Sequence, residues 1–147
     1  MKSCFFIGHR DAPESISTDL TQAITELIER EQVQEFIVGS YGRFDQIVQV
    51  VLAEVKEQYP RITLRLLLPY HPALRNVTLP LSFTQTFYPE SMESVPKRYA
   101  IVRANYYMVD HSTHLIAYRR YPGSNTAKLV EYAKNREKNG KIKLILI

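Results

Sequence analysis

The chain has 147 residues, 45% of them hydrophobic and 23% charged, which suits one domain spanning residues 1–147 with a core of its own. No apolar run approaches the ~18 residues a membrane-spanning helix needs, the single cysteine, Cys4, rules out an internal disulfide framework, and the N-terminus turns charged too early for a secretory signal; a soluble, cytoplasmic protein without a membrane partner is expected. The net charge of +4 is unevenly spread, with 8 basic and 12 acidic side chains in residues 1–95 against 11 and 3 in residues 96–147, an asymmetry that suits a polyanion or a phosphorylated small molecule, or else a solvated surface along 134–143.

Residues 3–7, SCFFI, form a short continuous apolar run that stops at Gly8, the pattern of a strand buried on both faces. Ile16, Leu20, Ile24, Leu27 and Ile28 then recur at helical spacing through residue 31. A second strand over 35–39 also ends in glycine. Ile47, Val51, Val55 and Tyr59 carry a helix over 45–59, which Pro60 ends. A third strand over 62–68 closes at Pro69.

Five prolines break residues 69–96, where only 82–88 alternates enough for a short strand. A connection of that length is often functional or mobile. Pro96 stands where a helix can begin, with Tyr99, Val102, Tyr106 and Val109 as its apolar stripe. A strand over 113–118, a helix over 125–138 ended by Gly140, and a last strand over 141–147 complete the chain. Alternating strands and helices predict an α/β fold, a Rossmann-like three-layer sandwich with a mainly parallel sheet. Right-handed crossovers gather the strand-to-helix loops at one edge, where ligands of such sheets bind near the reversal of strand order; the places to look are the loops after Ile7, Val38 and Tyr118, and also the one after Leu68.

Three loops on that edge hold candidate ligand-binding residues. After the first strand come Gly8, His9 and Arg10: a glycine for close approach, an imidazole that donates or stacks, and a guanidinium with a planar fork for phosphate or carboxylate. After the second come Gly39, Ser40, Gly42 and Asp45 before a helix whose free N–H groups attract anions; Asp45 either caps that helix or accepts from ribose hydroxyls. After the fifth come Arg119 and Arg120, then Gly123, Ser124, Asn125 and Thr126, a set suited to phosphate, in which Ser124 or Asn125 also serves as an ordinary cap. The helix from Pro96 adds Arg103, Asn105 and Asp110, and Arg103 serves equally as a solvent-facing charge paired with Glu93 or Asp110.

Other chemistry is poorly served. The histidines at 9, 71, 111 and 114 have no metal-ligand spacing. The Walker phosphate loop, the G-x-G-x-x-G dinucleotide fingerprint and the G-x-S-x-G nucleophile elbow are absent. A pI near 9.2 permits nucleic acid, but no aromatic-and-basic stacking motif of single-strand or RNA binders occurs, so nucleic acid is not the expected partner.

CFFIGHR at the start, GSYGRFD in the second loop, and residues 96–112 (PKRYAIVRANYYMVDHS) followed by LIAY and PGSNTAKLVEYA resemble the YpsA-like family. That family belongs to the SLOG superfamily, which groups Smf/DprA proteins with the LOG phosphoribohydrolases. The similarity runs in order over nearly the whole chain, and its most specific piece is R-x-N-x-x-M-V-D-x-S at 103–112. It implies a Rossmann-like fold, a pocket for a nucleotide or an ADP-ribose-like ligand, and a homo-oligomer. Gly8, His9 and Arg10 match its first motif, Gly39, Gly42 and Asp45 its second, Arg103, Asn105 and Asp110 its third, and Gly123, Ser124 and Thr126 its Gly-Gly-Thr turn. Ala104 departs from the second basic residue of many relatives. Beyond Thr126 the LOG glutamate position holds Leu129, and the first glutamate is Glu131. The leading expectation is therefore a nucleotide sensor or carrier. The alternatives are an N-glycosidic hydrolase, with Asp45, Glu90 or Asp110 supplying the carboxylate, and a single-stranded DNA accessory protein of the Smf/DprA kind.

Overall fold

Strand β1 (Ser3–Gly8) lies near the middle of a six-stranded, wholly parallel sheet in the computed structural model, which describes residues Met1–Ile147. It is flanked by β2 (Glu35–Val38) and β5 (His114–Tyr118); β3 (Thr63–Leu67) and β4 (Gln85–Phe87) extend the sheet on the β2 side, and β6 (Lys143–Leu146) on the β5 side. The spatial order β4-β3-β2-β1-β5-β6 reverses direction between β1 and β5.

Alternation along β1 assigns its side chains to two cores. Cys4 and Phe6 join Phe36, Leu64 and Ile116 beneath α1 (Ser17–Glu31) and α2 (Arg43–Gln58). Phe5 and Ile7 join Ile37, Leu67 and Leu115 beneath α3 (Ala100–His111) and α4 (Asn125–Lys138). A strand between two helical layers has no polar face to spare. Burial pushes the Cys4 thiol well above its ordinary pKa, leaving it a small apolar side chain.

Three boundaries and one helix face differ from expectation for local reasons. Helix α2 begins at Arg43 with Gly42 as its cap, so Asp45 stands in the first turn and is not the cap. Pro96 precedes a single 3-10 turn, Lys97–Tyr99, and the regular helix starts only at Ala100. The buried face of α3 is Ala100, Ala104, Met108 and Val109; Tyr99 is 51% exposed and Val102 and Tyr106 are half-buried, because the two alanines let the helix lie close on the sheet and turn the larger side chains aside. Strand β4 is only three residues long and joins β3 through a helix-free crossover, anchored where Leu68 N donates to Phe87 O at 2.8 Å.

At the opposite, N-terminal edge of the sheet, buried His114 meets Glu31 at 3.0 Å and Thr113 Oγ1 at 2.8 Å, and Lys143 pairs with the same Glu31. This network fastens the starts of β5 and β6 to the end of α1. Lys143 and His114 together hold the Glu31 carboxyl below its usual range.

Candidate functional site

The loops after β1, β2 and β5 are locked together by glycines and by one histidine. A Cβ on Gly8 would lie 2.3 Å from Cγ of Phe44, so the glycine lets the first aromatic of α2 slide over the end of β1. Phe44 in turn stacks on Tyr118 at the end of β5, with centroids 6.3 Å apart and planes 9° from parallel. Gly42 takes φ +132°, and a Cβ there would come within 2.9 Å of Cα of Arg10. Beside it, Arg43 N donates to Arg10 O at 2.8 Å. Both positions require glycine for close approach, and Gly42 also for its backbone conformation.

His9 is buried, 7% exposed, and its Nε2 accepts from two backbone donors, Arg120 N at 2.7 Å and Tyr121 N at 3.2 Å. An acceptor Nε2 requires the neutral ring protonated at Nδ1. Burial lowers the pKa of His9, with Asp11 acting against that shift. The ring packs against Tyr121 at 4.6 Å, and the Tyr121 hydroxyl donates to Asp11. His9 thus ties the first loop to the turn that leads into α4.

A cleft opens beside this junction at the carboxyl ends of β1, β2 and β3, roofed by α3 and the start of α4. It holds about 640 Å³ of empty space, counting that open to solvent at its mouth. Six of the candidate residues line it: Gly8, Gly39, Asp45, Asn105, Asn125 and Thr126. The apolar wall, including Phe5, Ile7, Val102, Tyr106 and Leu129, escaped sequence reasoning because those side chains carry only the signature of core. Tyr41 and Pro69 line the cleft as well, in the loops after β2 and β3 that the strand order points to, although neither is a named candidate.

Asp45 is the one carboxyl group lining the cleft. Its Oδ2 accepts the Tyr41 N–H at 3.0 Å, so this first-turn acid reaches back to a backbone donor ahead of the helix, as in a capping box. Burial raises its pKa to about 6; the Tyr41 bond and the Arg10 guanidinium limit the rise. On the far side, Ser124 caps α4 by accepting Ala127 N at 3.1 Å. The N–H groups of Asn125 and Thr126, first and second residues of that helix, have no intrahelical acceptor and carry the positive end of its dipole.

The remaining candidates lie around the cleft or away from it. Arg103 lines a groove with Arg98 and Tyr99 that shares Val102, Tyr106 and Asn125 with the cleft, and it pairs with neither Glu93 nor Asp110. Ser40 lines a second groove, contiguous with the cleft through Tyr41 and Pro69. Arg10, Gly42, Gly123 and Ser124 act on loop geometry; Gly123, at φ +77°, turns the chain into α4. Asp110 is engaged by Tyr132 and Arg136. Arg119 pairs with Glu131 at 3.2 Å, and the Arg120 Nε donates to the Tyr118 hydroxyl at 2.8 Å. Neither arginine lines the cleft; Arg98 and Arg103 stand in the groove beside it, and the Arg10 guanidinium lies close enough to act on Asp45.

The chain matches no protein-family model and no curated protein.

Proposed function

We propose that this protein binds a nucleotide or nucleotide-derived small molecule in the cleft and serves as a sensor or carrier. One observation carries this reading: Asp45 and the first two residues of α4, Asn125 and Thr126, line a single cleft with an apolar wall at the reversal of strand order. An apolar wall suits a base, a carboxylate suits ribose hydroxyls, and a helix N-terminus suits a phosphate. Arg98 and Arg103 in the adjoining groove extend the phosphate region. The resemblance to the YpsA-like branch of the SLOG superfamily points to the same ligand class.

One observation favours a second reading, hydrolysis of a nucleotide N-glycosidic bond. Asp45, with a pKa of about 6, exchanges protons near neutral pH, as a general acid or base must. Glu90 and Asp110, the other carboxylates weighed for that role, lie in a different groove. Native mass spectrometry with nucleotides, cyclic nucleotides and ADP-ribose derivatives separates the two. A sensor or carrier retains an intact ligand at stoichiometric occupancy, a hydrolase yields one lighter by a base, and retention of nothing across the panel contradicts both.

A further inference from the structure

We propose that the groove between the ends of β2 and β3 is a second phosphate subsite, so that the ligand carries a phosphate on each side of its nucleoside unit. This rests on the nucleotide reading above and narrows it.

The groove holds about 410 Å³ of empty space, again open at its mouth, and Tyr41 and Pro69 are its shared boundary with the cleft. Its cation is Arg75, whose guanidinium stacks 4.0 Å from the centroid of the Tyr70 ring. Tyr70 is set edge-on to Tyr41, with centroids 6.3 Å apart. The stack restrains a long side chain that otherwise sweeps through solvent, which reduces the entropy lost when it grips an anion.

Arg75 makes no ion pair: the seven salt bridges of the chain engage other cations. No acidic residue lines the groove, whereas Ser40, Asn76 and Thr78 add hydrogen-bond donors. The positive charge reaches the cleft wall, where Arg75 opposes the rise that burial and Tyr70 impose on the Tyr41 phenol.

Spacing decides between one phosphate and two. The α4 N-terminus follows β5, and the groove follows β2 and β3, two and three strands away. At ~4.8 Å per strand the two anion-attracting regions are roughly 10–14 Å apart. A single phosphate cannot bridge them. A nucleoside with a phosphate at each side can, with its sugar beside Asp45 in between.

Isothermal titration of wild type and Arg75→Gln tests this, with nucleoside 3′,5′-bisphosphates and 5′-monophosphates of each common base as probes. Wild type is expected to favour the bisphosphate by about tenfold, the scale of one charge-assisted hydrogen bond. Arg75→Gln is expected to erase that preference and leave monophosphate affinity unchanged; Arg75 is exposed, so the fold does not depend on it. Equal affinity for both probes in wild type overturns the second subsite and leaves the nucleotide reading standing. So does a preference that survives Arg75→Gln, or an equal loss for both probes. Failure of every probe to bind wild type overturns both.

Discussion

His9 and Arg120 are 111 residues apart in sequence, yet the His9 ring accepts the Arg120 backbone N–H at 2.7 Å. The bond crosses the reversal of strand order and fixes the turn into α4 relative to the end of β1. His9→Ala orphans two backbone donors and is expected to cost about 2 kcal/mol in denaturant unfolding. The pH dependence has a definite sign. The folded pKa is depressed below the ordinary 6.5, so the unfolded chain takes up the proton first as pH falls. The His9 contribution is complete above the unfolded value and declines as pH drops through it toward the folded value. Because Asp45 titrates nearby, the comparison is cleanest in an Asp45→Asn background, where the loss of stability as pH falls below the ordinary 6.5 should shrink when His9 is also replaced.

Asp45 contributes with the opposite sign. Its pKa rises from 3.8 to about 6 on folding, so the folded state binds the extra proton. The associated stability is present below 3.8 and is lost as pH rises through about 6. Asp45→Asn, which keeps an acceptor for Tyr41 N, is expected to raise stability at neutral pH by about 1–2 kcal/mol, with little gain near pH 4. The same variant should weaken nucleotide binding. A more stable protein that binds worse is the signature of a carboxylate held for its ligand, and thermal melts paired with titration calorimetry check it.

Gly8→Ala places a methyl group into the Phe44 ring. Overpacking of this kind costs about 1–3 kcal/mol. Phe44→Leu in the same chain should recover part of the loss, because it removes the obstructing ring while the cavity it leaves carries its own cost. Urea unfolding of the two single variants and the double variant measures the coupling.

Arg103 and Arg119 are expected to differ in their effect on binding. Arg103→Ala is expected to weaken binding of a phosphorylated ligand by about tenfold, since Arg103 lines the groove that continues the cleft. Arg119→Ala is expected to leave affinity unchanged, since its guanidinium pairs with Glu131 outside the cleft. Equal losses would place the phosphate elsewhere.

The fold was legible because strands buried on both faces and amphipathic helices have different periods, and SCFFI, EFIV and HLIAY offer no polar face to confuse them. Glycine placement also carried real information, although the reason differs from residue to residue: Gly8 and Gly42 admit neighbouring protein groups, and Gly8 and Gly39 also border the cleft. Arg119 and Arg120 stand just ahead of α4 in sequence, yet neither lines the cleft. Proximity in sequence to a helix N-terminus says nothing about which way a side chain turns, and both found partners, Glu131 and Tyr118. The apolar wall was illegible because Phe5, Ile7, Val102, Tyr106 and Leu129 come together from β1, α3 and α4, elements that are far apart in sequence.

Backbone amide shift mapping with a nucleotide titrated into isotope-labelled protein locates the ligand on the fold. Binding in the cleft predicts saturable shifts at Gly8, Gly39, Tyr41, Asn105, Asn125 and Thr126, and none around Thr113 and Lys143 at the opposite edge of the sheet. Shifts confined to that opposite edge, or no shifts with any nucleotide tried, would contradict it.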